Sequence, residues 1–124
     1  MLGKHLLSWL GAMLFVAQGA AEFDTYALPT HSPDEYETPY ALNVHRPTGE
    51  VWITSNMSDR ILRFIPAEER FISYPSPTRV TWLRDLTFTE EGKVCSSSSN
   101  LPAYAIEDGV PSFICLDPGD THPP

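Results

Sequence analysis

The sequence predicts an all-β protein made of β-propeller blades, with about two four-stranded antiparallel blades forming a partial propeller or part of an oligomeric ring. Three observations predict this class. Two segments recur at intervals of 43 to 48 residues, which is the size of one blade. Short apolar runs alternate with turn residues. All 12 prolines lie at or after Pro29, which argues against long helices.

The two clearest repeats share both spacing and residue type. Residues 23–30 (FDTYALPT) match residues 71–78 (FISYPSPT), and Phe, Tyr, Pro and Thr recur 48 positions apart. Residues 48–55 (TGEVWITS) match residues 91–98 (EGKVCSSS), 43 positions apart. An unrelated β-sandwich with coincidental similarity is the alternative interpretation.

Two weaker repeats flank the clear ones. The apolar run 41–44 before the first glycine has a counterpart at 85–88 before the second. Residues 60–66 (RILRFIP) have a looser counterpart at 112–118 (SFICLDP). Each predicted blade therefore contains several short strands in the same order.

Turn and proline signals place the strands in the first blade. Val44 and Val51 flank a Pro47-Thr48-Gly49 turn, which suits a hairpin. Pro66 ends the strand before it, and prolines after Tyr74 suit an outer edge strand. We therefore divide the chain into a secretory signal (1–21), a two-blade segment (22–118) and a tail (119–124). The two-blade segment consists of an orphan outer strand (22–30), a complete blade (40–78) and a three-stranded blade (83–118).

The first 21 residues have the pattern of a secretory signal peptide. Lys4 precedes an apolar stretch, and small residues at 17–21 follow it. The uncharged run from Leu6 to Ala21 is 16 residues, shorter than the ~20 that span a bilayer. A membrane anchor and a buried helix are the alternatives. Cleavage after Ala21 predicts a periplasmic or secreted protein without a stable membrane span.

Cysteine usage and net charge limit the possible functions. In an oxidising compartment Cys95 and Cys115 form a disulfide candidate, and two buried free thiols are the alternative. The formal net charge of −8 argues against nucleic-acid binding, because phosphates need basic partners.

A two-blade unit has a physical problem, because each blade of a propeller packs both of its faces against neighbours. If each open face left ~500 Å² uncovered, about 12 kcal/mol of burial would be unrealised per face. Three outcomes remain. In the first, a homo-oligomer completes the ring, with the N-terminal strand of each copy filling the last blade of its neighbour. Otherwise the unit adopts a compact non-propeller form, or the chain is an inactive truncated remnant.

The blade sequence resembles the streptogramin B (virginiamycin B) lyase family of β-propellers. The resemblance rests on residues 38–42 (TPYAL), 49–56 (GEVWITSN), 60–64 (RILRF) and 71–78, and it is good over 22–94 and loose over 95–118. It implies a propeller fold. In its lyase members it implies elimination on a cyclic depsipeptide antibiotic, with magnesium, a general-base His and a metal-binding Glu.

The family's catalytic residue types are absent from the matching positions. Tyr40 stands where the family has His, and Ser55 stands where it has Glu. Tyr with an ordinary pKa near ~10 is a poor base, and a lone Ser is a weak magnesium ligand. A non-catalytic binding or assembly module is therefore our prediction, with no catalytic residue assigned. The alternative is a carbon–oxygen lyase whose site, with magnesium, forms across chains.

Five residues are binding candidates at a pore or face of the ring, for a small-molecule or peptide ligand that the sequence does not identify: Tyr40, His45, Ser55, Asn56 and Tyr104. His31 and His45 are expected to be exposed and not to act as metal ligands. The acidic residues Asp34, Glu35 and Glu37 are expected to form a solvated loop, with a position at the mouth of a pore as the alternative.

Overall fold

The computed structural model describes residues 19–31, 36–78, 82–98 and 112–119. These residues form seven β-strands and one 3-10 turn at Pro66–Glu68, and they contain no α-helix. The strands, in chain order, are β1 (Pro39–His45), β2 (Glu50–Ser55), β3 (Arg60–Ile65), β4 (Arg70–Pro75), β5 (Leu83–Phe88), β6 (Val94–Ser98) and β7 (Phe113–Leu116).

The strands form two antiparallel sheets in which neighbours in sequence are neighbours in space. The first sheet has the order β1-β2-β3-β4, and the second has the order β5-β6-β7. The predicted all-β class, with antiparallel sheets of blade type, is confirmed. The strands of the first sheet lie within the predicted blade 40–78, apart from Pro39 at its start.

The turn between β1 and β2 has the geometry that its residues predict. The backbone N–H groups of Thr48 and Gly49 donate to the carbonyl of His45 at 3.2 and 2.8 Å. Gly49 has φ of 73°, a left-handed conformation that glycine adopts without steric cost. The turn sets the register, so that Val44 lies opposite Val51.

The core lies between the two sheets. Side chains from both sheets pack there, and the rings of Trp52 and Tyr74 stack with centroids 5.8 Å apart. Because side chains alternate across a strand, only every second residue of β2 and β3 faces this core. The buried members are Trp52, Ile61, Leu83, Leu86 and Val94.

The other face of the first sheet, which we call the outer face, is covered only in part. Its central residues Leu62 and Phe64 are buried, and the ring of Tyr26 lies 4.6 Å from that of Phe64. On the edge strand β1, Leu42 is 63% exposed and Val44 is 42% exposed. The N-terminal segment therefore covers the β3 side of the outer face and leaves the β1 side open.

Residues 22–30, predicted to be an orphan outer strand, form no strand within this chain. A strand requires the edge of another strand as its partner, and no edge among the described residues pairs with this segment. Tyr26 packs on the first sheet instead. Pairing with a neighbouring copy stays a prediction.

Cys95 and Cys115 form a disulfide between β6 and β7. The two residues are directly opposite in the strand register, with Cα atoms 4.1 Å apart. The bond ties the last strand to the rest of the second sheet across 20 residues of sequence.

Several predictions fall on other parts of the chain. Residues 1–18 of the predicted signal, Tyr104, Asp34, Glu35 and residues 120–124 of the tail lie outside the described residues. Within the described ranges, no helix combines the length and the apolar character needed to cross a bilayer.

Candidate functional site

Tyr40 lies where the two sheets meet. Its hydroxyl accepts a hydrogen bond from Nη1 of Arg84 on β5 at 2.6 Å, and the guanidinium carbon lies 4.9 Å from the centroid of the Tyr40 ring. A bulge between Pro39 and Ala41 interrupts the β1 register at this point, as bulges do where a side chain changes direction. Tyr40 thus links β1 to the second sheet through its contacts with the positively charged guanidinium of Arg84.

Ser55 is fully buried at the end of β2. Its hydroxyl oxygen accepts a hydrogen bond from the backbone N–H of Thr38 at 2.9 Å and lies within hydrogen-bond distance, 2.7 Å, of the hydroxyl oxygen of Ser58. These bonds hold the start of β1 and the β2–β3 turn against the end of β2. Ser55 therefore has a structural role in this chain.

Glu37 is the centre of a polar cluster that the sequence analysis missed. Its side chain is 1% exposed, so the predicted solvated position is wrong for this residue. One carboxylate oxygen lies 2.6 Å from Nε2 of His31, and the other accepts a hydrogen bond from the hydroxyl of Ser58. Nε of Arg60 is 3.9 Å from the carboxylate. His31 is an exposed residue, as expected, and its ring nitrogen contacts the buried carboxylate of Glu37.

The environment of Glu37 favours its charged form. Burial by itself would raise the pKa of this carboxyl, but hydrogen bonds from Ser55, Ser58 and His31, together with the charge of His31, lower it below its ordinary value. A buried carboxylate with several donors is stable as an anion. The cluster thereby ties the segment that precedes β1 to the β2–β3 turn.

Asn56 and Asn43 join the sheets by side-chain hydrogen bonds. Nδ2 of Asn56 donates to the carbonyl of Leu83 at 3.1 Å, and Nδ2 of Asn43 donates to the carbonyl of Leu86 at 3.0 Å. Both acceptors lie on β5. Because its side-chain amide donates a hydrogen bond to β5, Asn56 holds the end of the first sheet against the second sheet.

His45 lies at the opposite end of β1 from Tyr40, about 17 Å away along an extended strand. Its Nδ1 is 2.7 Å from the hydroxyl of Thr48, and its ring meets that of Phe88 edge-on at 5.0 Å. It is therefore part of the hairpin turn and of the inter-sheet packing. His45 is thus separated from Tyr40, Ser55 and Asn56, which lie together at the other end of the first sheet.

The positions that the family resemblance assigns to catalysis do not fit a magnesium site. The oxygen of Ser55 is buried and already hydrogen-bonded to the backbone N–H of Thr38 and to the hydroxyl of Ser58, and the hydroxyl of Tyr40 faces the guanidinium of Arg84, whose charge repels a metal cation. Among residues 19–31, 36–78, 82–98 and 112–119, no group of three or more His, Cys, Asp or Glu is placed to hold a metal ion. We derive no catalytic step from these residues.

A groove of about 520 Å³ lies at the end of the first sheet where the β1–β2 turn meets the 3-10 turn. Its lining runs from Pro47 to Glu50 and from Ile65 to Glu68. Glu50 is committed to Arg63 inside the protein, with Nη2 of Arg63 2.6 Å from its carboxylate. The groove is therefore lined mainly by exposed residues of the two turns.

Each sheet has an inner face, which packs in the core between the sheets, and an outer face on its other side. The exposed apolar residues of the two outer faces have repeat counterparts in the core. Leu42 corresponds to Leu86 and Val44 to Phe88, both 44 positions later. Leu86 is buried in the inter-sheet core and Phe88 packs against it. The apolar residues on the outer face of the first sheet thus occupy repeat positions that lie on the inner face of the second sheet.

The same relation holds in the opposite direction. Phe113, which is 69% exposed on the second sheet, corresponds to Ile61, 52 positions earlier. Ile61 belongs to the core. The apolar residue Phe113 on the outer face of the second sheet therefore occupies a repeat position that lies on the inner face of the first sheet.

The fold and these faces define a two-sheet all-β unit whose outer faces repeat the pattern of its inner ones. No family model matches the chain. It is 30% identical over 112 residues to 4-hydroxy-3-methylbut-2-enyl diphosphate reductase of Burkholderia pseudomallei (strain 1026b) and to 4-hydroxy-3-methylbut-2-enyl diphosphate reductase 1 of Burkholderia mallei (strain ATCC 23344). Each alignment covers 86% of this chain and 35% of the relative.

The chain spans about a third of the length of these curated relatives, so their activity is not carried over. Among solved structures, selenomethionine-substituted virginiamycin B lyase from Staphylococcus aureus is similar with a TM-score of 0.47 and 21% identity, over 70% of this chain and 30% of that one. These similarities assign no family. The fold class rests on the two sheets themselves, and the family resemblance of the sequence stays a prediction.

Proposed function

We propose that this protein is an exported, non-catalytic assembly module whose copies associate head to tail. The observation that carries the proposal is the exposure of Leu42 and Val44 on one outer face and of Phe113 on the other, at positions whose repeat counterparts are packed between the sheets. Contact between these faces in two copies would reproduce the packing that already joins the two sheets. Burial of side chains of this size contributes about 1.5–3 kcal/mol each.

Association of this kind is heterologous, because two different surfaces of one chain meet. It forms a ring if the rotation from copy to copy closes, and it forms a filament if the rotation does not close. Two to four copies would supply about four to eight blades, the range of known propellers. The assembled ring would present one continuous face for a small-molecule or peptide ligand.

Export is part of the proposal and is supported by residues 1–21. An apolar segment after Lys4, followed by small residues up to Ala21, is the pattern that secretory pathways recognise. The Cys95–Cys115 disulfide is consistent with an oxidising compartment. Expression of the whole chain in a host with a periplasm tests export directly: the intact mass should correspond to a chain beginning at Glu22, whereas a cytosolic product retaining Met1 would contradict it.

The molar mass of the purified protein by light scattering tests assembly. We expect a discrete multiple of the chain mass. Leu42→Lys should weaken association by at least tenfold in protein concentration, because a charge replaces an apolar side chain at the contact. Met57→Lys is the matched control, since Met57 is exposed in the β2–β3 turn and away from the strand face. A folded monomer at all concentrations would rule out the assembly module.

A further inference from the structure

Among the described residues, the outer edge of β7 in the second sheet pairs with no strand. In the first sheet the equivalent strand, β3, pairs with β4 along its whole length, from Arg60 opposite Pro75 to Ile65 opposite Arg70. The second sheet ends at β7, and no described strand lies beyond it. An unpaired edge exposes backbone N–H and C=O groups that can pair with another strand.

The repeats identify the segment that matches this edge. Phe71 and Tyr74 of β4 correspond to Phe23 and Tyr26, 48 positions earlier. These residues belong to the N-terminal segment, which forms no strand of its own. Phe23 is 92% exposed, the largest exposure among the exposed large apolar residues of the described chain.

The observed pairing of β3 with β4 determines a register for the missing strand. Phe71 lies opposite Phe64, and Tyr74 lies opposite Ile61. Phe64 and Ile61 correspond to Leu116 and Phe113, 52 positions later. The equivalent pairing therefore places Phe23 opposite Leu116 and Tyr26 opposite Phe113.

A cavity lies beside the free edge on the side that the register assigns to Phe23. It has a volume of about 210 Å³ and is lined by Ile61, Tyr74, Ile114 and Leu116, among others. In the first sheet the ring of Phe71 packs against Phe64 at 4.8 Å. Phe23 opposite Leu116 would extend into the cavity in the same way, and an aromatic ring gains most from burial among apolar side chains.

We infer that residues 23–26 of one copy pair antiparallel with β7 of the next copy, as the fourth strand of its second sheet. The donor is a second copy, because in its own chain Tyr26 lies on the outer face of the first sheet, which faces away from the second sheet. Release of Tyr26 from Phe64 uncovers the part of the outer face that the neighbour's second sheet would then cover. The inference rests on the proposed assembly and specifies which strands join.

Photo-crosslinking of the full chain tests the donation. A benzophenone amino acid in place of Phe23 is irradiated in a mixture of isotope-labelled and unlabelled protein. We expect products with mixed labels, with the adduct in a peptide that contains Ile114 to Asp117 or Tyr74. Adducts within a single copy, or adducts near Phe64 and Phe71 on the outer face, would overturn the inference.

Two further measurements keep the test independent of that substitution. In the unmodified protein, amide hydrogen exchange of Phe113 to Leu116 should slow at least tenfold as protein concentration rises through the association range, because a paired edge is protected. Phe23→Asp should raise the dissociation constant about 10- to 100-fold, whereas Met57→Asp should leave it unchanged. Exchange at β7 that does not depend on concentration in an associated protein would refute strand donation.

The two proposals fail in different ways. If copies associate and Leu42→Lys dissociates them, but Phe23 crosslinks only within its own copy, strand donation is wrong and face-to-face assembly stands. If the protein is a monomer at every concentration, both proposals are wrong.

Discussion

The carboxylate of Glu50 accepts two hydrogen bonds from the guanidinium of Arg63, at 2.9 Å from Nε and 2.6 Å from Nη2. Arg63 is fully buried, and its guanidinium carbon lies 5.5 Å from the centroid of the Trp52 ring. Burial by itself would lower the pKa of Arg63, but the bonds and the charge of Glu50 raise it. The pair thus places two opposite charges on the core-facing side of the first sheet.

Breaking this pair on one side should be costly. Arg63→Met leaves the Glu50 carboxylate buried without its cation, and such changes cost about 3–5 kcal/mol. Urea unfolding measures the loss. The double variant Glu50→Gln/Arg63→Met should recover a large part of it, because no uncompensated charge remains. Equal instability of the single and double variants would show that the pair has no such coupling.

Glu37 should make stability depend on pH in the acid range. Its folded-state pKa is lowered relative to the ordinary value of 4.5, so the unfolded chain binds the proton more readily. The stabilisation is therefore present at neutral pH and is lost as the pH falls through and below that ordinary value. Urea unfolding at several pH values should show Glu37→Gln as clearly less stable than wild type at neutral pH, with a difference that shrinks steadily as the pH falls into the range where folded Glu37 takes up its proton. A constant difference across this range would contradict the mechanism.

Loss of the Cys95–Cys115 disulfide should lower stability by about 3 kcal/mol, the value expected for closing a loop of this length in the unfolded chain. The variant Cys95→Ala/Cys115→Ala should therefore unfold at lower urea concentration. Reductant should destabilise the wild type to a similar extent and leave the double variant unchanged. A wild type insensitive to full reduction would count against a stabilising bond.

Asn56 should stabilise the contact between the sheets. Asn56→Ala removes the donor to the carbonyl of Leu83, and a part-buried acceptor without its partner costs about 1–3 kcal/mol. Asn43→Ala should have a similar effect, because it removes the equivalent bond to Leu86. Thermal unfolding of both variants beside Met57→Ala, which removes only an exposed side chain, provides the comparison. Variants as stable as this control would show that these bonds do not hold the sheets together.

Local signals predicted the strands and their order well. The Pro47-Thr48-Gly49 turn marks the end of β1 and the start of β2, and the proline at 66 marks the end of β3, because the backbone preferences of glycine and proline act independently of distant contacts. The repeats predicted the two antiparallel sheets, since equivalent residues occupy equivalent strand positions. Residues 22–30 carry the same local signal as β4, yet without a partner edge in the chain they form no strand.

The polar contacts could not be predicted in this way. Glu37 meets Ser58 across 21 residues, and Glu50 meets Arg63 across 13 residues. No short-range pattern distinguishes these carboxylates from the solvated ones around them. The apolar repeat likewise did not show that Tyr26 would cover Phe64.

The amino-acid sequence by itself determined the all-β class, the repeat and the β1–β2 turn, because these depend on residue type and spacing. Only the tertiary structure decided which acidic side chains are buried, that Tyr40 faces Arg84, and which apolar residues are left exposed on the outer faces. Those outcomes depend on how two sheets pack, and packing brings together residues that are far apart in the chain.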